Sequence, residues 1–328
     1  MSQKQHPIET GFTAASTADE VLLGIDLSGV NVVVTGGHVG LGLETTRALS
    51  EAGASVTVGT RSPDRAAPSL AGLDRVEIAQ LDLLDPTSID AFATRYVGSG
   101  RPLHILINNA GIMGGELVRD ARGYESQFAT NHLGHFQLTL GLLPALRAAH
   151  GARVVNVSSG GHQLSDIRWD DPHFTTAYDG MLGYGQSKTA NVLFAVELDR
   201  RWAEEGIRGY AVHPGVAFGT NLAPWITDDE LRAMGVIDDS GRAIIDPDRE
   251  LKTPQQAAST SVFAATNPML AEIGGVYLKD NDIAPLNDGP STIAFGTEPT
   301  TLPGVAPHAV DPESAQRLWE LSERLIKA

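Results

Sequence analysis

Tyr184 and Lys188 stand four residues apart in the segment GYGQSKTANVLF, residues 183–194, where an apolar run follows them. Residues four apart on a helix share one face and lie about one turn from each other. A free tyrosine has a pKa of about 10 and is a poor base at neutral pH. Since a nearby cation favours the phenolate, this spacing predicts a lowered pKa for Tyr184 and a role in proton transfer. The alternative interpretation is an amphipathic helical turn that carries no chemistry.

A second candidate site is the glycine-rich segment VVVTGGHVGLG, residues 32–42. Gly36, Gly40 and Gly42 lie between a β-branched run and a segment with helical spacing of apolar residues. Glycines at such a turn let the backbone approach a pyrophosphate, and the free N–H groups of the helix hold that anion. The spacing is T-G-x-x-x-G-x-G rather than G-x-G-x-x-G. It predicts a dinucleotide site, with a purely structural turn as the alternative.

The elements that must position these residues alternate along the chain. The pattern predicts strands at 30–36, 55–60, 75–83, 103–111, 151–159, 207–215 and 274–278. It predicts helices at 40–53, 86–97, 123–149, 189–206 and 253–266. Alternating strands and helices favour an α/β fold, here a single Rossmann-type doubly wound parallel sheet with helices on both faces.

We divide the chain by this pattern into three parts. Residues 1–29 form an N-terminal arm, and residues 30–280 form a dinucleotide-binding and catalytic domain. Residues 281–328 form a C-terminal extension that ends in a helix. Within the domain, residues 217–252 are long and mixed in character and include Trp225, Met234 and Ile237. We interpret them as a substrate lid with an apolar inner face.

Composition excludes several classes of function. The 328-residue chain is 42% hydrophobic, which suits a globular protein with a sizeable core, and carries a formal net charge of −16. A chain of this sign without a basic run argues against nucleic acid and anionic membranes as partners. It has no cysteine, no signal-peptide pattern and no apolar stretch of membrane-spanning length. We expect a cytoplasmic protein. We also expect no metal, because His132 and His135 lack a carboxylate partner.

Several motifs occur in an order that resembles the short-chain dehydrogenase/reductase family. They are the glycine turn, NNAG at 108–111, Asn131 in ATNHLGHF, the serine strand VVNVSSGGH, the Y-x-x-x-K pair and HPG at 213–215. The resemblance covers about residues 25–280. The segments NHLGHFQLT and SKTANVLFAVEL look most like the retinol dehydrogenase-like subgroup of bacterial oxidoreductases.

The resemblance implies a catalytic set of Asn131, Ser159, Tyr184 and Lys188. Ser159 is the second serine of the pair and corresponds to the catalytic one, whereas Ser158 is expected to be structural. Asn131 would anchor a water in a proton relay to Lys188, or mark a helix kink. The insertion between Ser159 and Tyr184 is longer than in many members and is expected to border the substrate.

The resemblance also implies a cofactor site. Its residues are Gly36, His38, Gly40, Leu41, Gly42, Arg61, Asp82, Leu83, Asn109, Gly111, Tyr184, Lys188, Pro214, Ala217 and Thr220. Thr220 stands six residues beyond Pro214, one more than in close relatives. The second strand ends in Thr60 and Arg61 without an acidic residue. This pattern favours NADP over NAD, because a guanidinium suits a 2′-phosphate. NAD remains possible if Arg61 pairs with Asp64.

Together these features predict an oxidoreductase that moves a hydride between NADP(H) and an apolar alcohol, ketone or aldehyde. Tyr184 would be its general acid or base. A non-catalytic NADP(H)-binding regulatory protein on the same fold is the alternative. The expected partner is a small molecule. A homo-oligomer is also expected, most simply a dimer that pairs the helices near 123–149 and 184–205.

Overall fold

A computed structural model describes residues 4–217, 222–223, 225–287, 289 and 304–328. The strands are β1 (Asn31–Thr35), β2 (Ser55–Thr60), β3 (Val76–Gln80), β4 (Ile105–Asn108), β5 (Ala152–Val157), β6 (Ile207–His213), β7 (Val216–Ala217), β8 (Leu251–Lys252), β9 (Val276–Lys279) and β10 (Asp282–Ile283). The main sheet has the order β10-β9-β6-β5-β4-β1-β2-β3. Its strands are parallel except β10, which pairs antiparallel with β9.

Helices cover both faces of this sheet, which confirms the predicted fold class. They are α1 (Ala18–Val21), α2 (Gly40–Glu51), α3 (Pro63–Leu70), α4 (Pro86–Gly98), α5 (Ser126–Phe128), α6 (Gly134–Ala148), α7 (Gly180–Trp202), α8 (Asp228–Ala233), α9 (Pro254–Thr266) and α10 (Pro312–Leu325). Strand β1 shows why the sequence folds this way. Val32 and Val34 join the apolar core beneath α2 and α9, whereas Val33 joins the core beneath α4 and α6. Successive side chains of a strand alternate between its faces, so an unbroken valine run marks a strand buried on both sides.

The helical stretch predicted at 123–149 is interrupted. Between α5 and α6, residues Ala129–Leu133 form a π-helical turn, with Asn131 at its centre. The N–H of Gly134 bonds the carbonyl of Ala129 five residues earlier. A π turn inserts one residue into the helix and is frequent at functional sites. Apolar periodicity cannot reveal it, because the residues on either side keep helical spacing.

The terminal segments pack onto the same core rather than standing apart from it. Val21 of α1 is buried in the core beneath α9. The side chain of Gln5 bonds the backbone of β9, accepting from the Tyr277 N–H at 3.0 Å and donating to the Tyr277 carbonyl at 2.8 Å. The sheet also continues past the expected domain boundary at 280. Asp280 and Asn281 both have positive φ and turn the chain into β10.

Helix α10 covers the outer surface of α6 and α7. Its Trp319 is 3% exposed and packs edge-on against Phe136 and Trp202, with ring centroids 4.9 and 5.3 Å away. Ser322 bonds His132 at 2.8 Å. The surface expected to pair two subunits is therefore occupied by the chain's own C-terminus, which contradicts that choice of interface. The oligomeric state itself stays a prediction.

The segment predicted as a lid has its own small core. Its base is closed by a two-stranded parallel pair, β7 with β8. Val236, Ile237 and Leu251 are buried together, with Met234 packed against them. Met234 and Ile237 therefore pack inside the segment, and its role as a substrate lid stays a prediction. In the described part of the chain, no helix has the length and apolar character needed to cross a membrane.

Candidate active site

Ser159, Tyr184 and Lys188 meet at the carboxyl end of β5. Ser159 is the second residue beyond this strand, and Tyr184 and Lys188 lie on one face of α7. The Ser159 hydroxyl is hydrogen-bonded to the Tyr184 phenol and accepts the Gly161 N–H at 3.0 Å. The Lys188 ammonium lies 5.5 Å from the centroid of the Tyr184 ring and donates to the Val157 carbonyl at 3.1 Å. The structure thus brings the three predicted side chains together.

The acidity of the pair differs from the sequence-based expectation. Burial raises the pKa of Tyr184 to about 12, and the hydrogen bond from Ser159 offsets only part of this rise. Burial also lowers the pKa of Lys188 to about 8. The expected lowering of the Tyr184 pKa, which also counted the positive charge of a bound nicotinamide, is not seen for the chain's own residues. Both side chains are only 3% exposed, and burial disfavours the charged form of each.

Ser158 and Asn131 hold the surrounding backbone. The Ser158 hydroxyl donates to the Lys188 carbonyl at 2.8 Å and so ties β5 to α7. The Asn131 amide accepts the Ile112 N–H and donates to the Ile112 carbonyl and the Ser187 hydroxyl, each at 2.9 Å. The amide group of Asn131 thus fastens the loop after β4 to α7, within the π turn.

The glycine turn forms a cradle that fits a dinucleotide. Helix α2 begins at Gly40, and its N-cap Val39 makes no side-chain hydrogen bond, so the first-turn N–H groups have no side-chain acceptor. A Cβ on Gly42 would clash with the Gly36 carbonyl and the Asn109 amide. Asn109 in turn donates to the Thr35 carbonyl at 2.8 Å. Close backbone approach and unpaired N–H groups at a helix start are what a pyrophosphate requires.

Arg61 and His38 lie beside this cradle. Arg61 directly follows β2 and is exposed, and it forms no ion pair with Asp64 in the described part of the chain. Burial and the nearby Arg61 charge lower the pKa of His38, whose Nδ1 is buried without a hydrogen-bond partner. A guanidinium and an unpartnered imidazole nitrogen beside the cradle suit a phosphate group.

The remaining predicted cofactor residues follow the carboxyl ends of neighbouring strands. Leu41 lies in the first turn of α2, Asp82 and Leu83 follow β3, Gly111 follows β4, and Pro214 and Ala217 follow β6. In a parallel sheet these ends share one edge, where ligands bind. A Cβ built on Gly111 would lie 3.5 Å from the Lys188 ammonium, which places that glycine directly beside the lysine. Thr220 lies outside the described residues.

The paired histidines His132 and His135 are core residues. His132 bonds the Ser322 hydroxyl and His135 bonds the Thr35 hydroxyl, each at 2.8 Å. Burial lowers their pKa values to about 3 and about 4 respectively, so both are neutral at neutral pH. Residues 4–217, 222–223, 225–287, 289 and 304–328 contain no group of three side chains suited to hold a metal.

One contact beside the site, between Trp225 and the loop after β4, was not predicted from the sequence. Trp225 donates its Nε1–H to the Met113 carbonyl at 2.8 Å, and a Cβ on Gly114 would clash with its ring. Gln127 accepts the Gly114 N–H at 2.7 Å and donates to the Tyr178 hydroxyl at 2.9 Å. The lid, the loop after β4 and the insertion before α7 therefore meet at this point. The glycine pair 114–115 was the available signal, since it permits the close approach of the indole.

Comparisons with known proteins agree with this arrangement. Residues 30–230 match the family model described as short chain dehydrogenase. A probable oxidoreductase of Streptomyces lividans is 46% identical over 312 residues, covering 93% of this chain and 100% of the relative. Retinol dehydrogenase 12 of Homo sapiens is 34% identical over 308 residues, covering 92% of this chain and 88% of the relative. A crystal structure of an uncharacterized protein from Mycobacterium paratuberculosis superposes with a TM-score of 0.70 at 32% identity, covering 97% of this chain and 98% of that one.

Proposed function

The chain belongs to the short-chain dehydrogenase/reductase family of oxidoreductases, and from this premise we propose that it reduces apolar ketones or aldehydes with NADPH in the cytoplasm. The same residues serve the reverse oxidation of an alcohol. The observation that carries this proposal is the meeting of Ser159, Tyr184 and Lys188 at the end of β5. A protein that only bound the dinucleotide would need no such set.

Several of the chain's own residues support the proposed cofactor binding. When bound, the nicotinamide cofactor supplies the hydride for reduction and accepts it in oxidation. The N–H groups at the start of α2 would hold the pyrophosphate. Lys188 has one donor on the Val157 carbonyl, which leaves two for the ribose and the phenol. Arg61 and His38 would bind a 2′-phosphate, which favours NADP(H) over NAD(H).

Tyr184 and Ser159 would act on the carbonyl oxygen. With a pKa raised to about 12, the phenol is protonated at neutral pH and can donate its proton as the carbonyl is reduced. The Ser159 hydroxyl, already bonded to the phenol, would hydrogen-bond the same oxygen. The phenolate left behind is stabilised by the Lys188 ammonium, which is charged below pH about 8.

The exposed side chains near the site support an apolar substrate. Trp225 is 45% exposed against the 114–115 loop, and Leu117 follows that loop at 36% exposure. Leu182 stands at the start of α7, where Gly180 packs against Gly115. Exposed apolar side chains grouped near one site are typical of a ligand-binding surface. The relative named retinol dehydrogenase 12 also carries the name of an apolar alcohol as its substrate.

The test is a panel of aldehydes and ketones of increasing apolar size, followed by NADPH absorbance and repeated with NADH. We expect a higher kcat/KM with NADPH and with the larger apolar members. Arg61→Ala should lower the preference for NADPH, with Arg65→Ala on the same exposed segment as the matched control. A parent that prefers NADH would refute the cofactor assignment. Cofactor binding without turnover of any panel member would instead favour a regulatory protein.

A further inference from the structure

Two buried histidines contact the peptide group that joins Ser159 to Gly160. His162, which is 0% exposed, bonds the Ser159 carbonyl through Nδ1 at 2.7 Å. His213, which is 4% exposed, bonds the Gly160 N–H through its own Nδ1 at 3.1 Å. The same peptide is therefore held at its oxygen by one ring and at its hydrogen by the other.

The backbone partners fix the protonation of both rings. A carbonyl oxygen only accepts, so His162 must carry its proton on Nδ1, and its Nε2 accepts the Ala306 N–H at 3.0 Å. A backbone N–H only donates, so Nδ1 of His213 carries no proton, and its Nε2–H donates to Glu250 at 2.9 Å. The two histidines hold opposite tautomers.

Each histidine also reaches a segment outside the catalytic core. His162 connects Ser159 to Ala306 in the C-terminal extension. His213 connects Gly160 to Glu250 at the base of the lid. The Glu250 carboxylate also pairs with Lys279 of β9, and its carbonyl accepts the Val216 N–H of β7 at 2.8 Å. Glu250 has a φ of +66°, a strained conformation for a residue with a side chain. Such strain persists where the surroundings over-determine it and clusters at functional sites.

We propose that His162 and His213 are positioning residues that fix the Ser159–Gly160 peptide and thereby aim the Ser159 hydroxyl at the substrate oxygen. This inference rests on the proposed role of Ser159. The orientation of the peptide sets the backbone of Ser159, whose hydroxyl must reach both Tyr184 and the substrate. A small displacement of a reacting group can cost on the order of 10²-fold in rate. The lid base and the C-terminal extension thus support the serine through one histidine each.

The first experiment compares leucine and asparagine variants of both histidines. His213→Leu removes the acceptor for the Gly160 N–H, and kcat should fall at least ~10-fold while cofactor Kd stays within about threefold. His213→Asn places an amide oxygen where Nδ1 was, and kcat should recover to within about threefold of the parent. His162→Asn keeps a donor to Ser159 and loses only the bond to Ala306. We therefore expect it to lower the Tm but retain kcat, whereas His162→Leu should lose both.

The matched control is Arg208→Met, which breaks the buried Arg208–Asp199 pair at the opposite end of β6. It should lower the Tm with kcat unchanged, and a kcat loss equal to that of His213→Leu would overturn the proposal. Ser159→Ala distinguishes a failure of the proposed function from a failure of this inference. Parent-like kcat in Ser159→Ala would refute the proposed function, whereas an inactive Ser159→Ala beside a fully active His213→Leu would refute only this inference.

A second measurement does not depend on activity. The ¹⁵N shifts of labelled histidines report which ring nitrogen carries the proton. We expect His162 as the Nδ1–H form and His213 as the Nε2–H form. In Glu250→Leu, His213 should no longer show one defined tautomer. The same tautomer at both residues would overturn the proposal, since one ring could then not hold its side of the peptide.

Discussion

The floor and the roof of the site are built in different ways. The floor consists of Ser159, Tyr184 and Lys188, whose supporting hydrogen bonds run to the backbone of β5 and its loop. The roof is the segment 217–252, which packs around its own apolar cluster and is fastened at its base by β7 and β8. Trp225 in the roof is 45% exposed, whereas Tyr184 in the floor is 3% exposed.

We propose that this difference separates chemistry from selectivity. The floor depends on the core of the sheet, so a change there disturbs both folding and catalysis. The roof is joined to the rest of the molecule by the short strand pair β7 and β8, so residues on its surface can be substituted while the main sheet stays intact. Loops placed on a rigid scaffold commonly carry specificity for this reason. The comparison leads to four predictions.

The largest effect is expected in the floor. Tyr184→Phe removes the proton donor, and kcat should fall by at least ~10²-fold while cofactor Kd is nearly unchanged. Tyr96→Phe is the matched control, because Tyr96 is equally buried but lies on α4, away from the site. Steady-state kinetics and cofactor titration measure both values. A kcat of Tyr184→Phe within about tenfold of the parent value would mean that Tyr184 of the floor is not the proton donor.

The second prediction concerns the pH dependence of the floor. Burial lowers the pKa of Lys188 to about 8, so its ammonium is charged below that pH and is lost as the pH rises through it. Without this charge the Tyr184 phenolate is less stable, and kcat/KM for reduction should fall up to about tenfold per pH unit above pH 8. Lys188→Met should be slow and lack this fall. A flat profile for the parent up to about pH 10 would contradict the role of the ammonium.

The third prediction tests the roof. Trp225→Ala removes the indole from the 114–115 loop, and the preference for large over small apolar substrates should change by about tenfold or more. Met234→Ala is the control from the same segment, because Met234 packs against Val236 and Ile237 rather than the site. It should lower the Tm and leave the preference unchanged. Equal shifts in both variants would mean that selectivity follows lid stability rather than contact with Trp225.

The smallest effect concerns the oligomeric state and the packing of α10. Helix α10 covers α6 and α7 at the back of the floor, so we now expect a single chain of 34.7 kDa by light scattering at micromolar concentration. A mass twice as large would show that the chain pairs through another surface. Trp319→Ala should lower stability by about 3–5 kcal/mol, as expected for a buried tryptophan.

The sequence allowed the floor to be predicted better than the roof, for a physical reason. Tyr184 and Lys188 are one helical turn apart, and the glycines of the α2 turn stand next to a valine strand, so local spacing specifies both. The positions of these residues follow from helical and strand periodicities that can be read in the sequence. The sequence shows the cation next to Tyr184 but not the burial of its phenol, which depends on the whole fold and raises the pKa of Tyr184 to about 12.

The roof depends on contacts between distant segments. The pairing of β7 with β8 joins residues on either side of the whole lid, and Trp225 meets Gly114 across more than a hundred positions. The π turn at Asn131 and the contact of His162 with Ala306 are equally hidden, since neither changes the apolar pattern. Tertiary contacts of this kind override local preference and leave no periodic signal.

The bond between Gln5 and β9 imposes an order on the synthesis of the chain. Gln5 leaves the ribosome early, but its partner Tyr277 follows 272 residues later. At about 5–20 residues per second, the N-terminal segment waits on the order of tens of seconds before its partner exists. Until then Gln5 cannot bond Tyr277 of β9. Synthesis of β9, rather than docking of the earlier strands, is therefore the event that allows Gln5 to bind the sheet.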